Sequence, residues 1–123
     1  MLLVCEATQT LGVEPRRVQS PLGVVEGFQV AERIGVVPIL RAGLGMVEPV
    51  LELLPDAEVW HLGLYRDETT AQPVEYYSKL PETSPLDVAL VLDPMLATGG
   101  SATAALDAIT TWGVARTCLL YTS

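Results

Sequence analysis

Apolar residues in this chain come in short runs of aliphatic and β-branched side chains, each closed by Gly, Pro or a polar cluster. Two runs lack the polar alternation of a half-exposed strand, Ile34-Gly35-Val36-Val37-Pro38-Ile39-Leu40 and Val88-Ala89-Leu90-Val91-Leu92. Both therefore predict strands covered on both faces. Positions 16–19 and 24–29 flank the turn-like Ser20-Pro21-Leu22-Gly23 and predict a hairpin. From 44 to 54 the apolar residues Leu44, Val47, Leu51 and Leu54 recur at helical spacing, with Pro49 expected to bend or delay the helix. Positions 58–65 alternate loosely and predict one strand that enters a polar loop at 66–70. Between Pro73 and Pro81, positions 74–80 predict a strand in a projecting arm. An Ala-rich stretch at 102–111 predicts a helix that Gly113 ends in a left-handed conformation, and 114–121 starts a further strand.

Strands that alternate with helices predict one α/β domain over 1–123, with a mainly parallel sheet flanked by helices. Ligands of such sheets sit beyond the carboxyl ends of the strands. No apolar run approaches the ~18 positions of a membrane-spanning helix, and Met1-Leu2-Leu3-Val4-Cys5-Glu6 does not resemble a secretory leader, so the cytoplasm is the expected location. The formal charge of −8 argues against a nucleic-acid or anionic-membrane surface, which would need clustered cations. A few of the seven basic residues could still converge on a small phosphorylated ligand. Cys5 and Cys118 have no close-spaced Cys or His partner and are expected to be buried thiols.

The densest chemistry follows the second buried run: Asp93-Pro94-Met95-Leu96-Ala97-Thr98-Gly99-Gly100-Ser101. Gly99 and Gly100 let the backbone approach a ligand, Thr98 and Ser101 supply hydroxyls, and the following helix presents free amides, which together make a phosphate cradle. Asp93, one strand end away, can accept hydrogen bonds from two vicinal sugar hydroxyls. The plainer alternative is an acid that ends a strand and a turn that caps a helix. The other run also ends in a loop-like segment, where Arg41 offers a planar fork of donors and Ala42-Gly43 leaves room for a diphosphate to reach the main chain. Read alone, it serves equally as a strand-to-helix turn with a solvated Arg. His61 falls inside the strand predicted at 58–65 and is expected to be a satisfied strand histidine. Trp60 and Trp112 are expected to pack, and Glu48, Glu52, Asp56 and Glu58 to be solvated rather than to bind metal.

The segment 88–101 closely resembles the 5-phosphoribosyl-diphosphate signature of type I phosphoribosyltransferases, and its Asp-Pro-Met-Leu-Ala-Thr-Gly-Gly-Ser form looks specifically like the uracil enzyme. Val36-Val37-Pro38-Ile39-Leu40-Arg41-Ala42-Gly43-Leu44-Gly45-Met46 resembles the pyrophosphate loop of uracil phosphoribosyltransferases almost residue for residue. In that family the loop is often strained, sometimes with a cis non-proline peptide. Leu62-Gly63-Leu64-Tyr65-Arg66-Asp67-Glu68-Thr69 and the stretch 73–81 resemble the family's strand, donor-binding Arg and extended arm, which carries Arg66 over as a diphosphate ligand. An Arg66 paired with Asp67 or Glu68 is the alternative, and for Tyr76, Tyr77 and Lys79 a solvated arm or subunit contact is the better reading.

The resemblance implies a Rossmann-like phosphoribosyltransferase core, incomplete at both ends. It also implies transfer of phosphoribosyl to uracil with release of diphosphate, Mg²⁺ carried by the donor's diphosphate rather than by a protein metal site, a GTP effector, and a homo-oligomer. Asp93 would hold ribose in catalysis, and positions 94–101 its 5′-phosphate. The late Gly-Asp-Ala segment that builds the family's uracil pocket is absent from the sequence. Positions 119–123 drift from the family pattern and are set apart as a foreign tail. Three other readings stay open: a phosphoribosyltransferase for another base, a noncatalytic regulator on the same fold that binds nucleotide and RNA, and a plain dinucleotide-binding module. The last lacks the Gly-x-Gly-x-x-Gly element.

Overall fold

A computed structural model of the chain describes residues 2–70, 73–78, 80 and 86–121. Its sheet is built on β3 (Ile34–Leu40), β5 (Leu62–Arg66), β7 (Val88–Asp93) and β8 (Arg116–Tyr121), all parallel, with β6 (Pro73–Ser78) antiparallel on one edge. The order is β6-β5-β3-β7-β8. Every residue of β7, and all of β3 but its last, is buried, as the unalternating apolar runs predict.

Successive residues of these strands face opposite cores, the period-two rule of a pleated strand. Val37, Ile39, Ala89 and Val91 point to one face, where α3 (Gly100–Trp112) covers them with Ala105, Ile109 and Trp112. Ile34, Val36, Val88, Leu90 and Leu92 point to the other and pack with Val4 of α1 (Leu2–Ala7) and Val50 of α2 (Val47–Leu53). Helices on both faces leave no polar side to the central strands.

The helix expected over 44–54 divides. A 3-10 turn over Ala42–Met46 precedes α2, so Pro49 becomes the third residue of the α-helix, where its missing N–H costs no intrahelical bond. The strand expected over 58–65 also divides, into β4 (Glu58–Val59) and β5. Both pair with β3, at Gly35 and Val36 and then at Ile39 and Leu40, so they form one interrupted line along its edge. His61 therefore lies in the break between two strands, not inside one, and is half-buried. Trp60, beside it, donates its backbone N–H to the Val36 carbonyl at 2.9 Å and its indole N–H to Glu58 Oε2 at 3.2 Å. Its ring meets Trp112 edge to face, with centroids 5.9 Å apart.

Two features project from this layer. The hairpin β1 (Val13–Ser20) and β2 (Gly23–Val30) forms a separate two-stranded sheet. Beyond Gly63, β5 pairs with β6 alone, so their ribbon overhangs the carboxyl end of β3, in keeping with the projecting arm expected at 74–80. Positions 119–121 complete β8 in register with Val91, Leu92 and Asp93. Neither thiol is buried as expected: Cys118 is half-buried, and Cys5 is exposed on α1, where Val4 alone is buried. Glu58 differs from the solvated acid expected, since it pairs with Arg33 as well as with Trp60. Among the described residues, no helix is long and apolar enough to cross a membrane.

Candidate functional site

The carboxyl ends of β3 and β7 lie side by side, with Pro38 opposite Leu92 in the parallel register. Each strand ends in a turn that leads into a helix, so the two segments with the most chemistry emerge from adjacent positions at one edge of the sheet.

After β3 the chain turns at a cis peptide between Leu40 and Arg41. Arg41 is exposed, forms no ion pair among the described residues, and accepts the Leu44 N–H on its carbonyl at 3.1 Å. Its guanidinium is thus available to an anion. Ala42 is exposed beside it, while Gly43 is buried against the neighbouring strand. A Cβ at Gly43 would lie 2.5 Å from the Leu92 carbonyl oxygen and 3.1 Å from Pro38 Cα. Only a residue without a side chain lets this turn sit down on the end of β7.

Asp93 immediately follows that carbonyl and is 6% exposed. Its Oδ1 accepts the Met95 N–H at 3.2 Å, which holds the carboxylate in place and leaves acceptor capacity for a ligand. The chain then makes a tight excursion. Ala97 has φ 50° and Gly99 φ 83°, both left-handed, and the Gly99 N–H closes the turn on the Leu96 carbonyl at 2.9 Å. α3 begins at Gly100, one residue after a cap that carries no side chain. Thr103 donates both its N–H and its hydroxyl to the Gly99 carbonyl, each at 2.8 Å. The N–H groups of Gly100, Ser101 and Ala102 have no carbonyl one turn back inside the helix, the arrangement that accommodates a phosphate. No acidic residue occupies the first turn to repel one. Met95, Ala97 and Thr98 are exposed around this cradle, and Pro94, Leu96, Gly99, Gly100 and Ser101 are half-buried.

Arg66 ends β5 on the overhanging ribbon, on the same sheet edge, and its side chain lies outside the described residues. Asp67 closes the loop that follows, accepting the Thr69 and Thr70 N–H groups on Oδ1 at 2.8 and 2.9 Å. These backbone bonds, that of Thr70 foremost, hold its carboxyl below the ordinary value of 3.8. Lys79 and Pro81 lie outside the described residues.

The structure therefore brings Arg41, Ala42 and Gly43 together with Asp93 and the 94–101 turn, and it places the backbone of Arg66 on the same edge. What sequence reasoning misses is the seating of the Arg41 turn on the end of β7, where Gly43 meets the Leu92 carbonyl. Arg41, Ala42, Met95, Ala97 and Thr98 are all exposed along this edge. A cleft of about 440 Å³ lies at the opposite, amino-terminal end of the strands, between β2 and the α2–β4 connection, and contains none of these residues. Among the described residues, no group of three His, Cys, Asp or Glu side chains could hold a metal ion.

A mainly parallel sheet flanked by helices is the architecture of type I phosphoribosyltransferases. The same fold occurs in a hypoxanthine-guanine phosphoribosyltransferase from Bacillus anthracis, at TM-score 0.66 and 10% identity over 98% of this chain and 60% of that one. A protein from Aquifex aeolicus designated AQ2163 is closer, at TM-score 0.87 and 37% identity over 98% of this chain and 58% of that one.

The family model for uracil phosphoribosyltransferase matches residues 1–122, and the chain belongs to that family. A uracil phosphoribosyltransferase from Roseiflexus castenholzii is 60% identical over 93% of this chain and 55% of its own length. Another, from Alkaliphilus metalliredigens, is 50% identical over 94% of this chain and 56% of its own. The chain spans about half the length of the curated relatives it matches.

Proposed function

We propose that these residues are the donor half of an enzyme that transfers phosphoribosyl from 5-phospho-α-D-ribose 1-diphosphate to uracil, giving UMP and diphosphate. The observation that carries this reading is the packing of Gly43 on the Leu92 carbonyl, which sets the Arg41 turn beside the Asp93 turn on one ledge. A donor with diphosphate at one end and a 5′-phosphate at the other needs two anion cups at fixed separation, with a sugar contact between them.

In the proposed reaction a uracil ring nitrogen forms a bond to the anomeric carbon as the bond from that carbon to the diphosphate oxygen breaks, and the nitrogen loses its proton. Positive charge develops on the ribose ring and negative charge on the leaving oxygens. Arg41, with Arg66 as the second cation, would stabilise the diphosphate, and Asp93 would accept hydrogen bonds from the ribose hydroxyls. The Ala97–Ser101 amides and hydroxyls would hold the 5′-phosphate in register. Mg²⁺ on the diphosphate would neutralise part of its charge.

We extend the proposal to a cytoplasmic homo-oligomer with GTP as effector. Self-association is supported by the outer face of the hairpin, where the opposed pairs Val13 with Val30 and Pro15 with Phe28 share one side and Phe28 is 77% exposed.

The test is a transfer assay with donor, Mg²⁺ and either uracil or a purine base, on a chain spanning the full length of the relatives. UMP formation is expected, and turnover with the purine alone would remove uracil as acceptor.

A further inference from the structure

We infer that Gly43 is a positioning residue that locks the diphosphate cup and the ribose-phosphate cup into one rigid unit. The inference rests on the donor reading proposed above and deepens it. The two cups belong to separate β-to-α turns, and nothing in either segment alone sets the distance between them. The distance is set where Gly43 meets the end of β7. A Cβ there would sit 2.5 Å from the Leu92 carbonyl oxygen and 3.1 Å from both Cα and Cβ of Pro38.

Two of these three neighbours are main chain, and the third belongs to a proline ring held inside β3, so none can swing aside as a flexible side chain would. Room for a methyl group has to come from movement of the Arg41 turn relative to the strand that carries Asp93. The Leu92 carbonyl is bonded directly to the Asp93 nitrogen, and the Asp93 carboxylate is tied to the Met95 N–H. Displacement at Gly43 is therefore delivered to the sugar-binding acid and to the start of the phosphate turn. Gly27 in the hairpin is a control outside both turns, because a Cβ at that position would meet only the Arg16 carbonyl oxygen, at an ordinary 3.8 Å.

A ligand that spans both cups responds to their separation, whereas a ligand that fills one cup does not. Misplacement by about 1 Å can cost ~100-fold when two groups must be engaged together, while each cup keeps its own donors. Gly43→Ala should accordingly weaken 5-phosphoribosyl diphosphate by at least about tenfold, and inorganic diphosphate or ribose 5-phosphate alone by less than about threefold. Gly27→Ala should leave all three unchanged.

Titration calorimetry of a chain spanning the full length of the relatives, with each of the three probes in the presence of Mg²⁺, makes the measurement. Arg41→Ala serves as reference, since it should weaken diphosphate and the whole donor but spare ribose 5-phosphate. Parallel losses for all three probes with Gly43→Ala would show a merely structural glycine and overturn the coupling, as would an unchanged donor affinity. If the wild-type chain binds none of the probes, or if Arg41→Ala leaves diphosphate binding intact, the donor reading fails first and takes the coupling with it. A second measurement does not depend on the variant folding: diphosphate bound to the wild-type chain should slow hydrogen exchange at the Met95 and Gly99 amides as well as in the Arg41 turn. Protection confined to residues 41–46 would also overturn the inference.

Discussion

Replacing Asp93 by Asn separates a sugar-binding acid from an acid that merely ends a strand. The side chain is 6% exposed and Oδ1 already accepts the Met95 N–H at 3.2 Å. Asn preserves the shape and the carbonyl acceptor, so that bond survives, and the loss in folding stability should stay below about 1 kcal/mol. Binding should respond differently. Two ribose hydroxyls donating to an ionised carboxylate form charge-assisted bonds, and each weakens when the acceptor becomes a neutral amide. A loss of about 1–3 kcal/mol corresponds to roughly 5- to 150-fold in the dissociation constant of the donor or of ribose 5-phosphate.

Long-range electrostatics predict the opposite sign. The chain carries a formal charge of −8, and the variant would carry one negative charge fewer, which by itself favours a polyanionic ligand. Calorimetry of both ligands, paired with thermal melts of wild type and variant, reads both quantities. Tighter donor binding by Asp93→Asn, or a fall in melting temperature with no change in affinity, would refute the assignment.

Two further predictions test the frame around the site. Gly35→Ala places a Cβ 2.1 Å from Leu86 Cδ1 and 2.8 Å from Cδ2 in the core beneath β3; these are ends of a flexible side chain that can turn aside, so it should destabilise by only about 1 kcal/mol in chemical denaturation and leave donor affinity of the folded fraction unchanged. Asp67→Ala removes the carboxylate that closes the ribbon loop. Because the Thr70 and Thr69 amides lower its pKa in the folded chain, its stabilisation is present above the ordinary 3.8 and disappears as pH falls through the lower folded value. Wild type should therefore be more stable than the variant near neutral pH, and the two melting curves should converge as the pH is taken below 3.8, which a pH series of melts would check.

Much of the fold was legible because its signals are local. The unbroken apolar runs at 34–40 and 88–92 could be satisfied only by strands covered on both faces. The glycines at 99 and 113 bracket α3 because both adopt left-handed φ, 83° and 97°, which side chains resist. The two turns were likewise legible as candidates, since an Arg beside Ala-Gly and an acid ahead of Thr-Gly-Gly-Ser carry groups suited to anions and hydroxyls. Alternation alone could not show that the line from Glu58 to Arg66 breaks at Trp60 and His61. That break follows from pairing with β3 at two separate places and from the packing of Trp60 against Trp112. Exposure of Cys5 was also hidden, because a six-residue helix with one buried position gives no reliable face.

The sequence by itself determined most of the strands and helices and marked two turns as candidate anion sites, because backbone propensity and side-chain chemistry act over a few neighbouring residues. Only the tertiary structure brought the two turns side by side. Gly43 and the Leu92 carbonyl are distant in the chain and meet because β3 and β7 pair in one parallel register. That register is selected by burying Val37 with Val91 on one face and Val36 with Leu90 on the other, a condition on the whole sheet that no local pattern contains.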